Sequence, residues 1–422
     1  MQKEIGISKH VCYYMVMFLV LVLEHNCFYL LPNDLAIFGL GISDLCVLFE
    51  IALFLFVLSS CKWRIPKTNY NRLIIIALII VITSSIAGYF TYGQSILAGI
   101  NVQRNRIASL LYFFVLLIWY RRKKITSKGI FKTLGIFLFI YLFICISQYF
   151  LSSKIIFVHT GAEGSLRYGT TRFWFSGIFL VLFSAFCVDN LFEKKSKKIK
   201  STFVIIIALM FFFIITKTRM SAIAFCGALA ITLIFHKGSI KTKTIGVIAV
   251  IAGFMILSST SMGNDIMNIV MGKESSQGDT LTVREIGQEY YINQTLNNPI
   301  SFLFGCGYAS ANNSLAKSMT YPSMYSSAYG YSIDLYPQDN GVIGMFYYYG
   351  FFGISWWIIV MIYSFKKAKR IYKNTGNFAF IFFLIFDVMG SLTTIPFMLE
   401  KTTVTAIFWL LMLDYDRKIE VN

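Results

Sequence analysis

Long runs of Ile, Leu, Phe and Val, interrupted by short basic connectors, recur along almost the whole chain. That alternation constrains the fold more than any single motif does. A helical crossing of a bilayer takes roughly 17–25 mostly apolar residues. In lipid every backbone polar group has to be satisfied within the protein, which a helix does by itself. By this measure spans fall at 11–31, 35–59, 72–90, 107–120, 130–151, 173–192, 201–216, 220–236, 243–262, 341–364, 377–394 and 402–414. The chain is therefore expected to be an all-α integral membrane protein with about twelve transmembrane helices. Charged residues make up only 14% of it, against about 25% in a soluble domain. No break in composition divides it, so residues 1–422 read as a single polytopic domain.

The net charge of +18 is large enough to suggest nucleic acid. The placement of the charges argues otherwise, because Lys and Arg gather in the connectors. Counted on alternate sides of the twelve spans, 27 basic residues fall on one side and 11 on the other. The richer side is the cytoplasmic one by the positive-inside rule, which puts both termini inside. No nucleic-acid partner is expected, and membrane lipid is. The first span has no convincing cleavage site and is expected to be retained.

One segment is neither a span nor a short connector. Residues 263–340, between the ninth and tenth spans, form a long loop on the outer side. A loop of this length inside a compact fold is usually functional. It carries the isolated Arg284, a Gly-rich turn at Gly305 and Gly307, and an Asp339-Asn340-Gly341 sequence where the next span begins. Tyr290, Tyr291, Tyr308, Tyr321, Tyr325, Tyr329, Tyr331 and Tyr336 accompany Asn312, Asn313 and many serines. Aromatic faces beside amides and hydroxyls suit a sugar, although an interfacial aromatic belt accounts for some of these tyrosines.

Topology disfavours the eleven outer bases, so they need another reason to be there. Arg167, Arg172, Arg219 and Arg284 lie on different outer loops or span ends, from which a fold can gather them. Planar guanidinium groups around one cleft would hold a diphosphate without a metal. Headgroup contact, or pairing with Glu163, Glu285 and Glu289, is the plainer account. Lys217 and Arg219 sit in a tight Thr-Lys-Thr-Arg hairpin, with almost no loop to carry the charge into bulk water. Acidic residues within spans are costly and often functional. Glu24, Asp44, Glu50, Asp189 and Asp387 qualify, with a structural role the more expected one. Asp414-Tyr415-Asp416 has the DxD form of metal-dependent sugar transferases but is only a tripeptide at a span end. Neither the scattered cysteines nor the four histidines have a metal-ligand spacing, so no metal site and no cofactor are expected.

Several segments resemble the bacterial O-antigen and capsular repeat-unit polymerases (Wzy type) and the related O-antigen ligases. They are TKTRMSAIAF (216–225), TVREIGQEYY with Arg284, NNPISFLFGCGY (297–308) and PQDNGVIGMFYYYGFFG (337–353). YGQSILAGINVQRNR (92–106) and LRYGTTRFWFSG (166–177) are similar to looser family segments. The resemblance covers much of 90–360. It departs from the ligases, which carry a histidine where Asp339 stands. It implies a metal-independent glycosyltransferase of the bacterial cytoplasmic (inner) membrane, acting on undecaprenyl-diphosphate-linked oligosaccharide to build O-antigen, capsule or exopolysaccharide. A flippase and a chain-length regulator would be its partners. Arg219 and Arg284 would hold the diphosphate with Arg167 or Arg172, and Asp339, or else Asp334, would be the base. Lys217, Gly305, Gly307, Tyr308 and Asn340 would complete substrate binding. An O-antigen ligase is the nearest alternative. A lipid-linked-oligosaccharide flippase is the rival from another class, and a proton-coupled permease a third.

Overall fold

A computed structural model describes residues 2–32, 35–37, 40–151, 155–159, 166–167, 170–171, 173–191, 195–236, 280–326, 331–396 and 402–421. The chain is overwhelmingly helical. The first half contains α1 (Gln2–Glu24), α2 (Ile42–Ser60), α3 (Asn69–Tyr92), α4 (Ile96–Val102), α5 (Arg104–Arg121) and α6 (Ser127–Leu151). There follow α7 (Ile178–Asn190), α8 (Lys195–Met210, running into a π turn at Phe211–Ile215) and α9 (Arg219–Phe235). The second half has α10 (Thr280–Leu296), α11 (Pro299–Phe304), α12 (Ser314–Thr320), α13 (Gly341–Thr375), α14 (Ala379–Gly390) and α15 (Thr402–Val421). The strands are short antiparallel ribbons: β1 (Ala36–Ile37) with β2 (Leu40–Gly41), β3 (Leu166–Arg167) with β4 (Thr170–Thr171), and β5 (Ser323–Ser326) with β6 (Tyr331–Asp334).

Among the described residues, five helical segments are long and apolar enough to cross a membrane: Ile42–Ser60, Asn69–Tyr92, Ser127–Leu151, Lys198–Ile215 and Pro337–Thr375. Helices also occupy the other expected span positions, except 243–262, which lies outside the described residues along with 263–279 of the long loop. One boundary differs clearly from the sequence reading. The span expected at 341–364 belongs to a helix that continues to Thr375 and is interrupted at Gly350, whose φ of 62° is not helical.

Which helices are innermost follows from their side chains. In α5 every residue from Leu110 to Trp119 except Leu111 is buried, and Val404–Met412 of α15 are buried all round. A helix apolar on every face belongs inside a bundle. The peripheral helices do the opposite and expose apolar stripes at helical spacing. These are Ile75, Ile79, Ile82 and Ile86 on α3; Ile136, Phe139, Phe143 and Phe150 on α6; and Ile199, Phe203, Ile206 and Met210 on α8. Contiguous apolar surface of this kind is rare on a protein bathed in water. Lipid suits it.

Two of the acidic residues within the spans, Asp44 and Asp189, have clear structural partners. Arg104 Nε donates to Asp44 Oδ1 at 2.7 Å. Asp189 Oδ1 accepts the Phe378 N–H at 2.8 Å, capping the start of α14, and pairs with His236 Nε2 at 3.3 Å. Asp414 accepts from Tyr120 and Lys418, each at 2.6 Å, and from Ser127, whereas Asp416 faces Lys367 and Arg370. The two carboxylates of the Asp-Tyr-Asp tripeptide thus serve different partners. His25, beside Glu24, is enclosed by Phe137, Tyr141 and Phe179 and bonds the Leu21 carbonyl through Nδ1.

Candidate functional site

The site is built where the long loop returns to the helices. Asn298 accepts the Ile300 N–H through Oδ1, Pro299 takes the first helical position, and Gly305 ends the turn at φ +80°. Asn at the N-cap, Pro just inside and Gly just past the end are the residues that start and stop a helix. From there Gly305-Cys306-Gly307-Tyr308 runs buried between α3 and α13. The break at Gly350 leaves carbonyls of α13 to be satisfied from elsewhere. The Cys306 N–H donates to the Tyr347 carbonyl at 2.6 Å and the Gly307 N–H to that of Tyr348 at 3.2 Å.

Only glycine fits this junction. A Cβ on Gly305 would run into the Tyr348 carbonyl, and one on Gly307 would lie 2.6 Å from the Ser84 carbonyl oxygen. Both glycines therefore serve close backbone approach. Tyr308 is buried too, its ring stacked on Tyr348 with centroids 3.6 Å apart. Over its face lies Arg106, whose guanidinium carbon is 4.2 Å from the ring centroid. Gln94 locks the same segment, Nε2 donating to the Tyr308 carbonyl at 2.8 Å and Oε1 accepting the Ser310 N–H at 2.6 Å. The 92–106 and 297–308 segments, far apart in sequence, thus form one body.

A second contact lies alongside. The turn Pro337–Asn340 leads into α13, and α10 packs against it. A Cβ on Gly287 of α10 would lie 2.9 Å from Asn340 Nδ2, so the helix passes close to that side chain. Asn340 is buried and donates to the Tyr336 carbonyl at 2.8 Å. Burial raises the Tyr291 phenol above its ordinary range, joined by Tyr347, Tyr290, Tyr321 and the Asp339 carboxylate. Asp339 is exposed and Arg284 half-buried, on elements packed together.

The loop tyrosines divide by depth. Tyr291 bonds the Thr320 carbonyl and Tyr290 the Met319 carbonyl, each at 2.9 Å, which anchors α12. Tyr325 and Tyr336 are exposed. Half-buried Tyr321 lies beside Tyr336, 5.7 Å between ring centroids, whereas the side chains of Tyr329 and Tyr331 lie outside the described part.

Lys217 is 4% exposed, with φ of 50°, in the hairpin closed by Thr216 N–H on the Phe211 carbonyl. The hairpin keeps this charge out of bulk solvent, in line with its sequence. Arg219 opens α9 and Arg167 ends β3, but their side chains lie outside the described part, as does Arg172 entirely. Asp334, at the end of β6, is exposed. Sequence reasoning missed Arg106 and Gln94 as site residues. Their signal was present, since both lie in the 92–106 segment and Arg106 is one of the eleven outer bases. Among the described residues no group of three or more His, Cys, Asp or Glu is arranged to hold a metal. No protein-family model matches the chain, and no curated protein matches it either.

Proposed function

We propose that this chain is a membrane glycosyltransferase that polymerises undecaprenyl-diphosphate-linked repeat units on the outer face of the bacterial cytoplasmic membrane. In this reading it crosses the membrane about twelve times, keeps both termini in the cytoplasm and places residues 263–340 outside. The observation that supports it most is the seating of the Arg284 helix on the turn that carries Asp339 and Asn340. A cation and a carboxylate on adjoining elements match the two demands of the reaction. The acceptor sugar hydroxyl attacks the anomeric carbon of the donor, the bond from that carbon to the diphosphate oxygen breaks, and the hydroxyl proton passes to a base. Arg284, assisted by Arg219 and by Arg167 or Arg172, stabilises the departing diphosphate. Asp339 takes the proton. Arg106, held over Tyr308, adds a fixed cation to the same outer side.

The test is glycan length on a gel from cells lacking the gene and cells complemented with wild type or Arg284→Ala. Single repeats in the deletion strain and in the Arg284→Ala strain, at normal membrane levels of the variant, are the expected result. Long polymer left on its lipid carrier would instead make the protein a ligase. Single repeats retained on the cytoplasmic face would make it a flippase.

A further inference from the structure

At the end of the helices away from Tyr308, four stretches of chain meet around a cavity of about 610 Å³. They are the start of α3, the end of α5, the basic continuation of α13 and the end of α15. Lys67, Arg121, Lys366, Lys367, Arg370 and Arg417 line it, and Asp416 is the one carboxylate lining it among the described residues. Asp416 faces Lys367 Nζ at 3.1 Å and Arg370 Nη1 at 3.5 Å. Lys367 is further fixed by the faces of Tyr70 and Tyr363, 5.2 and 5.6 Å from its Nζ. The start of α3 also contributes Thr68 and Asn69 to the wall, bringing the positive end of a 24-residue helix to the cavity.

The positive-inside rule explains why cations lie on this side of the membrane. It does not require them to converge. Spread over separate connectors they would orient the chain equally well and repel each other less. Here cations from α13 share one space of ligand size with Lys67, just before α3, and with cations from α5 and α15.

We propose that this cavity binds a phosphate-bearing anion at the inner ends of the helices. Several Arg and Lys side chains around one concavity supply multidentate, charge-assisted donors to phosphate oxygens. Basic pockets between transmembrane helices on the cytoplasmic side take up anionic lipid headgroups in this way. A soluble phosphate offers the same oxygens, so the experiment has an arm for each source. The site is independent of the polymerase reading.

The test is thermal unfolding of the detergent-purified full-length protein, followed by tryptophan fluorescence. The probes are dihexanoyl phosphatidylglycerol, the matching phosphatidylcholine and inorganic pyrophosphate. Saturating phosphatidylglycerol, pyrophosphate or both is expected to raise the Tm by about 3 °C, and phosphatidylcholine is not. The exposed pair Arg121→Gln with Lys366→Gln should abolish the rise. The control pair Lys128→Gln with Lys132→Gln, exposed on α6 and outside the cavity, should retain it. A rise with phosphatidylglycerol alone identifies a lipid headgroup, and a rise with pyrophosphate a soluble phosphate. No rise with either anion overturns the proposal. So does an equal loss in the control pair, since that would mark diffuse charge rather than a site.

Discussion

The Cys306 N–H reaches the Tyr347 carbonyl across 2.6 Å, joining residues 41 positions apart at the one place where α13 is broken. A break in a helix at membrane depth is tolerated where neighbouring protein satisfies the freed backbone groups. Gly350 makes the break, and the Gly-Cys-Gly segment answers it.

Gly350→Ala should therefore unfold the junction. A methyl group there meets the Leu303 carbonyl carbon at 2.6 Å and must also accept a left-handed φ. The expected cost is about 3 kcal/mol or more. Gly93 is the internal reference, since its φ is +66° but nothing lies within 4 Å of an added Cβ. Its replacement by Ala should cost only about 1 kcal/mol. Thermal melts of the two purified variants decide the matter, and equal Tm losses would contradict the packing described.

Arg106→Ala should weaken the hold on Tyr308 by about 1–2 kcal/mol. Arg106→Lys keeps the charge but loses the planar guanidinium, so it should be intermediate in both Tm and glycan length. If the Lys variant restores neither, charge at this position is not what matters.

Asp339→Asn retains the shape of an exposed side chain and removes its basicity. Under the polymerase reading, incorporation of repeats should fall by about 10²–10⁴-fold, with Tm unchanged. Asp334→Asn is the comparison that chooses between the two candidate bases. The carboxylate whose amide abolishes the glycan ladder is the base, and neither doing so removes both from that role.

Asp189→Ala deletes the acceptor that caps α14 at Phe378 and the partner of His236, and should cost about 1–3 kcal/mol. Asp44→Ala breaks a pair whose side chains are about a third exposed, and should cost no more than about 1 kcal/mol. A permease using Asp44 would instead lose proton-coupled uptake on this replacement, with its stability intact. Melting curves beside a proton-flux assay in vesicles separate the two.

The helical, lipid-facing character of the chain was legible because apolar runs of membrane length have few other uses. The order of the helices in the bundle was not. Nothing in the sequences of α5 and α15 marks them as innermost, since a run apolar all round reads alike against lipid and protein. Gly305 and Gly307, expected to bind substrate, also have a packing use that a Gly-rich turn does not announce in sequence. Their freedom serves backbone packing against Tyr348 and Ser84. Tyr308 shows the same limit, for a tyrosine in an outer loop can face solvent or stack inward, and the Tyr348 that receives it lies 40 residues on. Gln94 was missed because a lone glutamine at a span end has no pattern, and its worth lies in two bonds to a distant segment.

The paired bonds at Cys306 and Gly307 have a consequence for how the outer segment can change. They tie the chain at both sides of a neck, so the connection between Tyr308 and the start of α13 leaves and re-enters the helical body at a fixed point. Once the neck is closed, lengthening what hangs from it adds little to the entropy of closure. Its exposed stretches, such as the β5–β6 ribbon, are then free to diverge in length and surface chemistry while the helices beneath keep one architecture.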